Sequence, residues 1–240
     1  MELKDVIGRR KSVRSYQSEP LDEATLMEIR AFIGQMKPLD PALRVGWEIV
    51  KSSQVKCILP WKAPQLVAMY AEDKPGALEN VGFMFQQLDL YLQGRGIGAC
   101  WLGMGKPEQQ LAAKDGLSFC MLLAFGHPTE DVLREDASQF KRKALSGIAD
   151  EPDKRLEPAR LAPSSVNSQP WYFTHEGSVI HVWRAAPTGL MRRAMEKMNR
   201  IDMGIALAHL YVVNPETFSF FRAEQPPELK GFVYTGSITL

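Results

Sequence analysis

Residues 160–173 read RLAPSSVNSQPWYF. Two prolines and five small polar side chains make this segment a poor helix and a poor strand, yet Trp171, Tyr172 and Phe173 set it against an apolar run. Pro163 and Pro170 stiffen the loop, so ordering it on binding costs little. The side-chain amides of Asn167 and Gln169 each offer a donor and an acceptor together, which suits the alternating C=O and N–H edge of a pyrimidine-like ring. Ser164 and Ser165 add hydroxyls that serve in either role. A Ser/Asn-rich turn can instead satisfy only its own backbone. The prolines and Trp171 favour a fixed, partly buried loop on the edge of a flat ligand.

Outward from this loop the pattern is strand, turn and strand in PWYFTHEGSVIHVW, with the turn at Glu176-Gly177. A long helix follows in LMRRAMEKMNRIDMGIALAHLYV, carrying Met195, Met198, Asp202, Ile205 and His209 along one stripe. The first part of the chain has the same order. GWEIVKSSQVKCILPW reads as strand, turn and strand. GALENVGFMFQQLDLYLQGRG reads as a helix with Val81, Met84, Leu88 and Leu92 at helical spacing, ended by Gly94 and Gly96. Asn80/Asn199, Met84/Met203 and Leu88/Leu207 align as a weak internal repeat. An amphipathic helix over 22–36, capped by Asp22 or Thr25, precedes this unit, and FCMLLAFG closes it as a buried strand. The charged, proline-containing segment 127–159 reads as a surface crossing between two halves, 1–150 and 151–240. Two similar halves are expected to bury their long helices against each other as a homodimer would.

The 240 residues are 45% apolar and 24% charged, enough for a sizeable core. A net charge of +1 gives no general pull towards nucleic acid or an anionic membrane. Cys57, Cys100 and Cys120 show no CxxC spacing and read as thiols in a reducing compartment. Four scattered histidines without an HxxxH pair argue against a metal site. The start, MELKDVIGRRKSVR, is charged where a secretion signal is apolar, so a cytoplasmic protein is expected.

Three further stretches carry candidate chemistry. In RRKSVRSY, residues 9–16, the guanidinium forks match phosphate oxygens bidentately, and alternation points Arg10, Ser12 and Arg14 to one side of an extended segment. A solvated basic patch is the plainer reading of that cluster alone. GRGIGACWLGMG, residues 94–105, has five glycines that let backbone approach a ligand, or it is a helix stop leading into a loop anchored by Trp101. FKRKALSGI, residues 140–148, is a second basic cluster that matters only if the fold brings it near Arg10 and Arg14. His209 reads as a satisfied core histidine, and Asp202 as a helix-face charge paired with Arg200 or Lys197.

Taken together, RKSVRSY, APSSVNSQPWYF, GIGACWLG and KRKALSGI resemble the nitroreductase family of FMN-dependent oxidoreductases, whose members carry RRS-x-R, APS-x-x-N-x-QPW, GLG-x-x-W-x-G and RKPLEE-like segments. The resemblance covers most of the chain, with the order altered: the APS loop, which usually follows the arginine segment, stands here in the second half. It implies an α+β nitroreductase-like FMN-binding fold, with a central, mainly antiparallel sheet and surrounding helices. The two halves would be fused as an intramolecular pseudo-dimer holding one FMN per chain. By the same resemblance Arg10, Lys11, Ser12, Arg14 and Arg142 would bind the phosphate. Backbone at Ile97 and Gly98 would lie over the ring, and Pro163, Ser164, Ser165, Asn167 and Gln169 would contact its edge. NAD(P)H would reduce the flavin, and a small electron-poor acceptor such as a nitroaromatic or quinone would reoxidise it in ping-pong fashion, with no residue acting as catalytic acid or base. The alternatives are a flavin-binding protein without reductase activity, or dehalogenation or flavin fragmentation on the same scaffold.

Overall fold

The computed structural model describes residues 1–57, 63–189 and 192–240. The end of the expected second strand (Ile58 to Trp61) and the start of the last long helix (Leu190 and Met191) lie outside the described residues.

Two antiparallel sheets enclose a helix pair. The first sheet has the order β1 (Val45–Lys51), β3 (Gln65–Ala71), β7 (Leu117–Gly126) and β4 (Gly98–Leu102), with β6 (Ala113–Lys114) paired to the start of β7. Trp47 and Met121 flank Met69 of β3 in register. The second has the order β10 (Ser219–Phe221), β11 (Phe232–Thr239), β9 (Val179–Ala185) and β8 (Trp171–Glu176). The expected turn between β1 and its successor forms at Ser52–Gln54, but β2 (Val55–Cys57) pairs with β5 (Gly105–Pro107) instead of folding back on β1.

Every residue of β3 is buried, and alternation explains how. Val67 and Met69 enter the core shared with the helices, while Leu66, Ala68 and Tyr70 enter a smaller core on the opposite face with Leu102 and Leu122. The strand therefore reads as an unbroken apolar run, with no polar face to mark its period.

Short α1 (Leu3–Ile7) leads into the arginine segment, and α2 (Glu23–Ile33) is capped by Asp22, whose carboxylate accepts from Thr25 N–H. Helix α3 (Ala77–Gly94) ends where its glycines predict, Gly96 taking a φ of +76°. Helices α3 and α5 (Arg192–Val213) form the centre of the main core. Glu79 meets Arg200, Gly82 meets Ile201 and Gln86 meets His209, so the paired numbers rise together and the helices run in the same direction. They approach closely through glycines. A Cβ at Gly82 would lie 2.0 Å from Ile201 O, and one at Gly204 would lie 1.9 Å from Glu79 O. That reciprocity pairs Gly82 with Gly204, three residues away from the Met84/Met203 alignment expected from the sequence.

Around these glycines α3 buries polar side chains whose partners are all supplied. Asn80 accepts from Leu39 N–H and donates to the carbonyls of Asp40 and Leu43; Gln87 donates to Lys37 O. Nothing regular interrupts 127–156 except short 3₁₀ turns; α4 (Glu157–Arg160) ends the stretch. The segment runs back along the N-terminal arginines, with Thr129 N–H donating to Ser15 O and Arg134 N–H to Arg9 O. It then joins the second sheet, where Phe173 N–H donates to Ile148 O and Asp150 N–H to Phe173 O.

A two-ended cleft between the arginine segment and the APS loop

The arginine segment and the APS loop face one another across a groove made of two joined cavities. The polar end, about 450 Å³, is lined by Arg10, Lys11, Ser12, Arg14, Arg134 and Arg142, with Asn167 and Glu130. The apolar end, about 410 Å³, is lined by Cys100, Trp101, Met104, Met121, Met198, Ile201 and Asp202 among others. Ser12, Arg14, Pro163, Ser164 and Val166 border both, so the two ends form one continuous groove.

At the polar end cations outnumber acids. Arg10 is fully buried and donates from Nε to Asp89 Oδ2 at 2.9 Å, while its Nη2 reaches Ser12 Oγ at 3.4 Å. Lys11 Nζ pairs with Glu130 at 3.0 Å, and the same glutamate accepts from Arg14 N–H. Arg134 and Arg142 lie with their guanidinium carbons 4.7 and 5.4 Å from the Phe140 ring centre. Burial lowers both of their pKa values, Arg142 to about 10, and neighbouring arginines add to the effect. Arg134 Nε is buried with no hydrogen-bond partner among the described residues. A donor so placed amid like charges is what a bound phosphate would satisfy.

Arg142 grips the APS loop: Nε donates to Ala162 O at 3.0 Å and Nη1 to Asn167 Oδ1 at 2.7 Å. The loop needs such bracing. Val166, Asn167 and Gln169 all have left-handed φ values, +47°, +55° and +48°, and Val166 is β-branched and 83% exposed at the groove mouth.

The structure brings Arg10, Lys11, Ser12, Arg14, Arg142, Pro163, Ser164 and Asn167 to the polar end, and Ser165 to the apolar end. Gln169, Ile97 and Gly98 line neither cavity. Gln169 is buried, its amide accepting from Lys143 N–H and donating to Asn167 O; it holds the loop's shape. Ile97 is packed in the main core, and Gly98 is covered by Val13, whose Cγ1 would lie 2.7 Å from a Cβ there. Backbone near the groove comes from β4 and the turn after it, Cys100 to Met104. Asn167 stands with the cations, its amide held by Arg142 and Lys141 O, away from the apolar end that a ring would fill.

Sequence reasoning missed Arg134, because 127–139 read as plain surface and only the antiparallel return along Arg9 carries it inward. It also misplaced Asp202. Arg200 pairs with Glu79 and Lys197 reaches Phe119 O, leaving Asp202 buried against the apolar cavity, where Ser165 N–H donates to both of its oxygens.

Behind the groove a chain of hydrogen bonds, buried beyond the half-buried Trp101, links its two ends. Trp101 Nε1 donates to Gln86 Oε1; Gln86 Nε2 donates to Asp89 Oδ2 and His209 Nε2; Asp89 accepts from Arg10. Because Pro158 O can only accept, His209 Nδ1 carries the hydrogen that reaches it at 2.9 Å. Burial pushes the His209 pKa down to about 3, so the ring is neutral, the satisfied core histidine its sequence position suggested.

Among the described residues no helix is long and apolar enough to cross a membrane, and no cluster of His, Cys, Asp or Glu could hold a metal ion.

A family model described as "Putative TM nitroreductase" matches residues 2–214. A "putative nitroreductase" of Thermotoga maritima is similar in structure over 100% of this chain and 94% of its own, with a TM-score of 0.70 at 20% identity. A nitroreductase family protein of Clostridium difficile covers 61% of this chain and 96% of its own, with a TM-score of 0.50 at 14% identity. A nitroreductase of Desulfitobacterium hafniense, solved with bound FMN, covers 60% of this chain and 99% of its own, with a TM-score of 0.44 at 16% identity. A search of the curated proteins finds none that matches.

Proposed function

This chain belongs to the nitroreductase family whose model spans most of it, and on that premise we propose that it holds FMN in the two-ended groove and works as an NAD(P)H-dependent oxidoreductase. The observation that carries the reading is the continuity of the two cavities: five cations stand at one end of a groove whose other end is apolar. A phosphate and a flat ring require those opposite environments in one site.

Arg14, Ser12, Arg134 and the free donors of Arg10 would bind the phosphate. Arg142 would act mainly through the APS loop, since its donors are spent on Ala162, Leu161 and Asn167. Cys100, Trp101, Pro163, Ser164 and Met198 would enclose the ring and exclude water. FMN held there would supply hydride transfer between NAD(P)H and an electron-poor aromatic. One pocket serving donor and acceptor in turn gives ping-pong kinetics. Residues 1–150 and 151–240 would act as fused halves: the phosphate ligands come from the first, the APS loop from the second, and one FMN binds per chain. The reciprocal contact of Gly82 and Gly204 supports that arrangement, being the contact a two-fold pair would make.

The purified protein should be yellow, with one flavin per chain. Arg14→Ala should lose roughly 1.5–3 kcal/mol of charged hydrogen bonding, tenfold or more in FMN affinity. A colourless protein that takes up no FMN on reconstitution would end this reading, and an unchanged dissociation constant would remove Arg14 from the site.

A further inference from the structure

Among the described residues Asp202 is the one acid on the apolar cavity, and its setting is unusual for a carboxylate. It is 4% exposed, on a wall otherwise made of Met121, Met198, Ile201 and Ile205. Its only hydrogen bonds are those from Ser165 N–H, at 3.1 and 3.2 Å, and no cation pairs with it among the described residues. Charges on the elements packed around it are engaged elsewhere: Glu79 of α3 with Arg200, Asp89 of α3 with Arg10, Glu196 with Arg184 of β9, and Glu157 with Arg160 of α4. Arg14 and Cys100 border the same cavity, and burial pushes the Cys100 thiol up to about 11, so it stays neutral.

An ion left in such a place would be costly, so the group keeps its proton instead. Desolvation raises the carboxyl to about 8, and the Ser165 amide only partly opposes it. A neutral carboxyl with both oxygens accepting from one N–H still has an O–H to give. The available space for an acceptor of that hydrogen is the cavity.

We propose that Asp202 is the catalytic acid of this site, giving its proton to an oxygen of a quinone-type acceptor seated against the methionine wall. This rests on the flavoprotein reading above. The Asp202 O–H bond breaks as an O–H bond forms on one quinone oxygen. The hydride that completes the hydroquinone comes from the reduced flavin, and the aspartate regains a proton from water when the product leaves. The site is thereby matched to acceptors with an exposed oxygen that can take this hydrogen.

Two measurements test this. Infrared spectra of the flavin-free chain at pH 7 should contain a protonated-carboxyl C=O band that is missing in Asp202→Asn and lost in the wild type with a midpoint near pH 8. Absence of that band in the wild-type protein overturns the proposal whether or not the variant folds. In FMN-loaded protein, single-turnover reoxidation by 1,4-benzoquinone should fall about tenfold per pH unit above that midpoint. In Asp202→Asn, measured on the fraction that carries FMN, it should be at least tenfold slower at pH 7 and flat with pH. A variant that reoxidises at the wild-type rate with the wild-type pH profile overturns the assignment while leaving the flavin site intact. Failure of the wild type to bind FMN is instead failure of the reading beneath it, visible before quinone is added.

Discussion

Gly204→Ala probes the contact on which the groove depends. A methyl there would stand 1.9 Å from Glu79 O and 2.7 Å from Phe83 N, and the matching change at Gly82 would stand 2.0 Å from Ile201 O. These are backbone atoms of a facing helix, so no rotamer change relieves the overlap. A relaxed contact needs about 3.5 Å, so α3 and α5 would have to part by roughly 1–1.5 Å. Alanine is favoured over glycine inside a helix by about 0.5–1 kcal/mol. Overpacking against rigid surroundings costs about 1–3 kcal/mol, and backbone on the opposing side puts this site at the upper end. The net expectation is a loss of about 2 kcal/mol, or roughly 4–8 °C in Tm for a chain of this size. Because Ile201, Asp202 and Ile205 of α5 form one wall of the apolar cavity and Cys100 and Trp101 another, the same movement should weaken FMN binding. Gly34→Ala is the control: its Cβ would meet Ala31 O at 3.5 Å, an ordinary contact, at the end of α2. Thermal unfolding followed by circular dichroism decides the matter. If Gly204→Ala unfolds at or above the wild-type temperature while Gly34→Ala is neutral, the close approach of the helices is refuted.

Crowded guanidinium groups should make the flavin-free protein respond to simple anions. Millimolar inorganic phosphate should raise its Tm, and Arg134→Ala should blunt that rise while weakening FMN about tenfold, as read by thermal shift and flavin fluorescence titration. For His209 the folded pKa of about 3 lies below the ordinary 6.5, so the unfolded chain takes up a proton that the folded one refuses. Stability should be lost as pH falls from 6.5 towards 3, by up to about 1.4 kcal/mol per unit, and urea midpoints across that range should show His209→Gln with the shallower slope. For Asp202 the sign is opposite: the folded chain holds a proton up to about 8 that the unfolded chain releases near 3.9. Stability from this group is therefore present below pH 3.9 and lost as pH rises towards 8, again by up to about 1.4 kcal/mol per unit. Wild type and Asp202→Asn should diverge over that window, the variant gaining at alkaline pH; parallel curves would show the carboxyl to be ordinary.

How far the sequence leads to this site depends on what each residue needs from its neighbours. Helices α3 and α5 are legible because a helix pressed on a core must repeat its apolar residues, and Val81, Leu88 and Leu92 do so. The β8–β9 hairpin is legible because Gly177, at a φ of +61°, writes its turn locally. Strand β3 is not legible by alternation, since both its faces are buried in different cores. Strand β4 is hidden by its own glycine, Gly98, whose small size makes room for Val13. Polar side chains are the hardest to read, because an amide that braces a loop and one that greets a ligand look alike in one dimension. Gln169 proved to be the first kind, and Arg142 divides its donors so that it shapes the loop more than it faces the groove. Arg134 and Asp202 show the converse. Arg134 sits among residues that suggest ordinary surface and Asp202 on an apolar stripe, and each acquires its chemistry only when another segment removes the water: the return along Arg9 for one, the APS loop and Met121 for the other. Charge identity is written in the sequence, but the dielectric around it is completed by segments far along the chain, and reactivity depends on both.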